Sequence, residues 1–333
     1  MLADIDPKDI YLGKSEFWIS GISGEYDLSP APEHCLDELR EIRGLCVRSI
    51  AEIPREEFTI RHQEKSYRVS LLNSLSDQIF VLRCMSSSVP ALDSLNIYPG
   101  YVNYLMRPGL SGLIVVAGAF GQGKTTTASA IVASRLSKYG GVAITIEDPP
   151  ELPLEGKHGP GICYQTWVNQ GEFGDACRKT ARYAPNIIFL GEVRDAETAA
   201  EALKASINGR LVICTTHADS VATAIERLYS LANGTAGNSE DTASLLSSGL
   251  LCILHQKLEG KIKRPKIEFL WMGDNENQGI RNTIRLRRFD QVGSEITLQL
   301  NRMLMGARPT SLQTTLQGQN DSDSERRTAP REI

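Results

Sequence analysis

Residues 118–127 read GAFGQGKTTT, and from Gly118 to Thr125 they fit the pattern G-x-x-x-x-G-K-[ST]. The flanks constrain the fold as strongly as the turn does. LIVVAG, ending on Gly118, is a short β-branched apolar run that reads as a strand. KTTTASAIVASRLSKYG, ending on Gly140, reads as a helix. Glycines between a strand and a helix let backbone N–H groups turn inward around phosphate oxygens, where the helix N-terminus already favours negative charge. Gly118, Gly121, Gln122, Gly123, Lys124, Thr125 and Thr126 are therefore candidate nucleotide-binding residues. Lys124 is placed to reach the β- and γ-phosphates of ATP, and the Thr125 hydroxyl to ligate Mg2+.

The same alternation continues downstream. VAITIED, NIIFLGE and RLVICTTH read as further strands, and GEFGDACRKTARYAP and DAETAAEALKASING as the helices between them. Short apolar runs joined by helices predict an α/β domain, a parallel sheet covered on both faces. SLLSSGLLCILHQKL is expected to be a helix, GTAGNSEDTA (234–243) a polar loop before it, and KIKRPKIEFLWM a hairpin after it. The first part of the chain differs. CLDELREIRGLCVRSIAEI (35–53) has helical spacing through Leu36, Leu39, Ile42, Leu45 and Val47, and residues 57–85 read as short strands. A small α+β domain over 1–95, a linker over 96–109, an ATPase domain with a C-terminal helical part over 110–305 and a disordered tail over 306–333 are the expected divisions.

Hydrolysis requires an acid for the metal shell and a group that orients the attacking water. IIFLGE ends an apolar strand on Glu192, the place for a Walker-B carboxylate holding Mg2+ through water. ITIEDPPE offers Glu147, Asp148 and Glu151 at the end of a strand expected to intervene between the loop strand and the Glu192 strand, with the double proline aiming Glu151 at the γ-phosphate. CTTHADS ends on Thr215, Thr216 and His217, groups suited to sensing a γ-phosphate.

Composition narrows the class. A net charge of −4 over 333 residues, with no basic and aromatic groove, speaks against direct nucleic-acid binding. The longest apolar run, LIVVAGAF at 113–120, is far short of a membrane span, and the acidic N-terminus MLADIDPKDI is not a secretory signal. Seven scattered cysteines without a CxxC pair suggest reduced, buried thiols and a cytoplasmic protein.

The order GAFGQGKTTT, ITIEDPPE, IIFLGEVRD and LVICTTHADS resembles the type II/IV secretion ATPase superfamily, from about residue 60 to 290. QGIRNTIR (278–285) and the lack of a tetracysteine insert resemble its PilT/DotB-like branch. The resemblance implies a RecA-like P-loop domain preceded by a PAS-like α+β domain. It also implies a homohexameric motor that hydrolyses ATP with Mg2+ for a type IV pilus, conjugation or type IV secretion machine. It would work against an inner-membrane platform or secretion-channel component, attached to the bacterial inner membrane through partners. By motif, Glu151 matches the catalytic glutamate, Glu192 the Walker-B glutamate and His217 the His-box histidine. Arg68 in YRV and Arg83 in FVLRC match N-terminal arginines that reach the bound nucleotide. Two features depart from the pattern: Arg210 stands where a second histidine is common, and Phe120 is bulky for its place in the loop. A monomeric P-loop kinase or transferase would need an acceptor site and a lid, for which the sequence carries no signal. A DNA-dependent RecA-type ATPase is the other alternative, set back by the acidic balance.

Overall fold

The computed structural model describes residues 2–306 apart from 6, 23–27, 53, 64, 87, 170, 237–238, 261–263 and 275–276. Two sheets organise it. The first is six-stranded and antiparallel, ordered β3-β2-β1-β6-β5-β4. A short helix α1 (Leu2–Ile5) precedes β1 (Asp9–Leu12), β2 (Phe17–Ser20) and β3 (Ser29–Pro30); β4 (Glu57–His62), β5 (Lys65–Asn73) and β6 (Gln78–Cys84) follow α2 (Leu36–Glu52). Period-2 alternation sends Ile10, Leu12, Phe58, Ile60, Val69, Phe80 and Leu82 to one face, where they bury against Leu39, Ile42 and Cys46 of α2. The helix turns a little differently from the expected stripe: Cys46 takes the buried place and Val47 is exposed.

The second sheet has eight strands, ordered β14-β13-β7-β12-β11-β8-β10-β9. Its members are β7 (Gly112–Ala117), β8 (Gly141–Glu147), β9 (Gly156–His158), β10 (Gly161–Trp167), β11 (Ile187–Leu190), β12 (Leu211–Thr216), β13 (Leu250–Glu259) and β14 (Arg264–Trp271). The six strands from β13 to β10 run parallel; β14 and β9 close the edges antiparallel. Every residue of β7, β11 and β12 is buried, because helices cover both faces. Leu113, Val115, Leu190 and Val212 face a core with α5 (Phe173–Thr180), α6 (Ala196–Ile207), α7 (Val221–Ala236), α8 (Ser239–Gly249) and α9 (Gln278–Arg285). Ile114, Val116, Phe189 and Ile213 face the other core, with α3 (Pro99–Leu105), α4 (Lys124–Tyr139) and α10 (Gly293–Gly306).

The α/β class and the parallel sheet agree with the sequence, and several details differ. The expected helix 244–258 ends at Gly249, and LLCILHQKLE is instead β13, the first arm of the hairpin with β14. Leucine favours helix, but ladder bonds to β7 and burial on both faces outweigh that preference. Most of 234–243 is helical, in α7 and α8, rather than loop. The stretch after VAITIED holds β9 and β10, and the stretch before residue 35 holds β1–β3, none of them expected. The strand between β7 and β11 is β12, whereas β8 lies on the far side of β11. ITIEDPPE therefore approaches Glu192 from outside, and it is CTTHADS that intervenes. In the expected linker over 96–109, Ile97, Tyr101 and Leu105 are buried in the second core, with Tyr101 stacked 4.5 Å from Phe269. The expected disordered tail beyond Gly306 lies outside the described residues.

Candidate active site

The carboxyl ends of β7, β12, β11 and β8 open on one side of the sheet around a cavity of about 330 Å³. The glycine-rich turn after β7 forms its floor. Gly121 and Gly123 have φ of +72° and +75°, the left-handed region that glycine enters without strain. Gly118 is required for closeness: a Cβ there would lie 2.5 Å from the Gln256 carbonyl on β13. Gln256 clamps the turn, since its Nε2 donates to the Gln122 carbonyl at 2.7 Å and its Oε1 accepts from Thr127 Oγ1 at 2.8 Å. The Leu258 N–H donates to Gln122 Oε1 at 2.7 Å. Gln122, Thr125 and Thr126 line the cavity.

Lys124 is buried at the start of α4. Its Nζ donates to the Ala119 carbonyl at 2.9 Å and stands 3.5 Å from His217 Nδ1. Burial pulls this ammonium below the usual lysine range, opposed by the carboxylates of Glu192 and Glu151. His217 Nε2 lies 3.2 Å from Glu192 Oε1, and both Arg194 Nε and a terminal Arg194 nitrogen sit 2.8 Å from Glu192 Oε2. Burial, and then the positive charge of Lys124, lower the imidazole's proton affinity. A neutral ring protonated on Nε2 satisfies both neighbours, donating to Glu192 and accepting from Lys124. Lysine, neutral histidine, glutamate and arginine thus form one chain of polar contacts lining the cavity. Phe120 is 89% exposed at its rim, its ring nearly parallel to that of His217 at 6.4 Å.

On the opposite wall, Glu151 is exposed into the cavity after the cis Asp148–Pro149 bond. Glu147, at the end of β8, is buried, and burial pushes its carboxyl up to about 7. Gln165 of β10 donates to it at 2.9 Å.

The structure thus gathers Gly121, Gln122, Gly123, Lys124, Thr125, Thr126, Glu151, Glu192 and His217 at one cavity, with Gly118 in the turn behind it. Arg68 and Arg83 are not among its lining residues. They are cross-strand neighbours on β5 and β6, where Arg68 pairs with Glu57 at 2.9 Å and Arg83 with Asp9 at 2.7 Å. Arg210 lies at the other end of β12 and donates to the Pro185 carbonyl. Sequence reasoning missed Arg194, although GEVRD places it two residues beyond a strand-end acid. It also missed Gln165 and Gln256, which sit on strands that were not foreseen.

The profile of the family described as type II/IV secretion system protein matches residues 52–286. Type II secretion system protein E of Klebsiella pneumoniae is 36% identical over 200 residues, covering 57% of this chain and 37% of that protein. The chain thus spans little more than a third of the length of that curated relative. The crystal structure of the pilus retraction motor PilT with bound ADP superposes with a TM-score of 0.72 at 25% identity, covering 89% of this chain and 87% of PilT. The ATPase DotB of Legionella pneumophila shares the fold, with a TM-score of 0.68 at 20% identity over 87% of this chain and 84% of DotB. The chain belongs to the type II/IV secretion system protein family, the superfamily of secretion and pilus ATPases.

Proposed function

We propose that this chain binds ATP with Mg2+ and hydrolyses it as one subunit of a homohexameric motor. The observation that carries the reading is the single cavity joining Lys124 and Thr125 of the glycine-rich turn to Glu192, His217 and Glu151. Backbone N–H groups of the turn and the Lys124 ammonium hold the phosphates. The donor set fits a magnesium ion: Thr125 offers a hydroxyl and Glu192 a carboxylate, both hard oxygen ligands lining the cavity. When bound, the ion neutralises charge on the β- and γ-phosphate oxygens. Glu151, exposed on the facing wall, orients water toward the γ-phosphate and accepts its proton. His217, linked to both Lys124 and Glu192, reports whether a γ-phosphate is present.

Arg68 and Arg83 are proposed to reach the nucleotide when the N-terminal sheet closes on the site, exchanging their present carboxylate partners for phosphate. That exchange would turn phosphate charge into domain movement. No helix among the described residues is long and apolar enough to cross a membrane, so action at the bacterial inner membrane is proposed to run through a partner there. Pilus and type IV secretion machines both fit this reading, and the likeness to the retraction motor PilT supports it.

The test is ATP hydrolysis beside ATP binding. Lys124→Ala is expected to lose binding. Glu151→Gln is expected to retain binding with turnover down by roughly a hundredfold or more, the range for removing a general base. Arg83→Ala is expected to bind ATP but hydrolyse it slowly. Wild-type turnover in Glu151→Gln would contradict the assignment.

A further inference from the structure

Residues 148–155, the loop that carries Glu151, hang from β10. Gln165 spends its whole carboxamide on that loop and its root. Its Nε2 donates to the Leu152 carbonyl at 2.8 Å and to Glu147 Oε1 at 2.9 Å, and its Oε1 accepts from the N–H groups of Leu154 and Glu155 at 3.2 and 3.3 Å. That exhausts the two donors and two lone pairs of an amide side chain. Trp167 is two residues further along the strand and points to the same face. Its indole Nε1 donates to Asp148 Oδ1 at 3.1 Å. Both ends of the acidic loop are thus tied to one side of one strand.

Trp167 has a second set of contacts, on the other half of the molecule. Its ring packs against the core of the N-terminal sheet, and the guanidinium of Arg55, between α2 and β4, lies 4.3 Å from its ring centre. A cation held over an indole face at that distance is attracted by the ring quadrupole. A continuous line of contact therefore runs from Arg55 through Trp167 to Asp148 and the backbone that leads to Glu151. An indole is rigid beyond two torsions, so its face cannot follow Arg55 without moving the N–H that holds Asp148.

We infer that Trp167 is a positioning residue for the acidic loop, setting the place of Glu151 according to where the N-terminal sheet lies against it. The inference rests on the proposed hydrolytic role of Glu151 and adds a route by which the N-terminal half controls it. With Arg55 over the ring, the indole N–H holds Asp148 and the loop is fixed. When the N-terminal sheet withdraws, the ring loses that face contact and the loop is released.

The experiment compares the full-length chain with Trp167→Phe, Arg55→Ala and Arg55→Lys. Two readouts are needed: hydrogen exchange of the loop amides, and kcat and KM for ATP. Trp167→Phe keeps a ring for Arg55 and removes the N–H. The Leu154 and Glu155 amides should exchange faster in Trp167→Phe and Arg55→Ala, and Arg55→Lys should restore much of the protection. kcat should fall about tenfold in Trp167→Phe, as expected for losing a hydrogen bond to a charged group, with KM within about twofold. Arg55→Ala should lower kcat in the same sense, and the double variant should be little worse than Trp167→Phe alone, because both changes act through one contact. Unchanged loop exchange in both single variants overturns the inference, whether or not the chain hydrolyses ATP. A loss that falls on KM with kcat unchanged also overturns it. If Trp167→Phe does not fold, Arg55→Ala decides, since Arg55 is a half-buried side chain outside the core clusters. Absence of hydrolysis in the wild type would count against the proposed function, and the exchange measurement would still judge the positioning role.

Discussion

Glu147 and Glu151 stand four positions apart in one acidic motif, yet the fold gives them different chemistry. Glu151 is exposed into the cavity, where its carboxylate is open to water. Glu147 is buried beneath it and titrates near 7 because burial disfavours its charge. The sequence shows both acids and the turn-forming prolines but not which one the strand carries inward. That depends on where β8 ends: the strand is buried on both faces from Ala143 to Glu147, and Glu151 lies beyond it. The difference has a consequence for stability. Below the unfolded value of 4.5 Glu147 is protonated in both states, and its contribution is complete. As pH rises from there to about 7 the unfolded chain releases the proton first, so the folded state loses that advantage. Urea midpoints of the wild type, compared with Glu147→Gln at each pH, should therefore fall relative to the variant across this window and run parallel above it. Curves parallel throughout would show that the carboxyl is not held neutral by the fold.

Among the elements, β13 shows most clearly where reading the sequence stops. GAFGQGKTTT was legible because its chemistry is local: a turn, a strand before it and a helix after it, all within thirty residues of chain. The clamp on that turn is not local. Gln256 comes from a strand that looks helical in isolation, and it becomes a strand by pairing with β7 on one side and β14 on the other, Gln256 itself standing opposite Ile267 of β14. β10 is hidden for a similar reason: it follows a loop and adds to the sheet outside β8, so no strand–helix alternation announces it. Both unforeseen strands supply amides, Gln256 and Gln165, that fix the glycine-rich turn and the acidic loop. Replacing Gln256 by Leu leaves the Thr127 hydroxyl and the Gln122 carbonyl without their partner. The expected cost is about 1–3 kcal/mol of stability, the range for unsatisfied buried polar groups, with weaker ATP binding because the turn is no longer held. A denaturation midpoint and a nucleotide titration check the two effects separately. Unchanged affinity in a destabilised variant would assign the clamp to stability alone.

At the scale of the whole molecule, two sheets share one chain but differ in kind. The parallel sheet is sealed by helices on both faces and carries the cavity, whereas the N-terminal sheet buries one face against α2. Arg68 and Arg83 lie on the N-terminal sheet, outside the cavity, and their motif match makes sense only if the two sheets move relative to each other or to a neighbouring subunit. The arginines were legible from sequence by resemblance; their distance from the site was not, because it depends on how the halves sit together. A ring is the arrangement in which such movement can be turned into work on a fixed partner, and closed rotational symmetry is its usual form. An ATP-dependent ring motor is tested by the solution mass of Glu151→Gln with and without ATP and Mg2+. A hexamer is expected when both are present, held together because turnover is blocked. A monomer under every condition would contradict it.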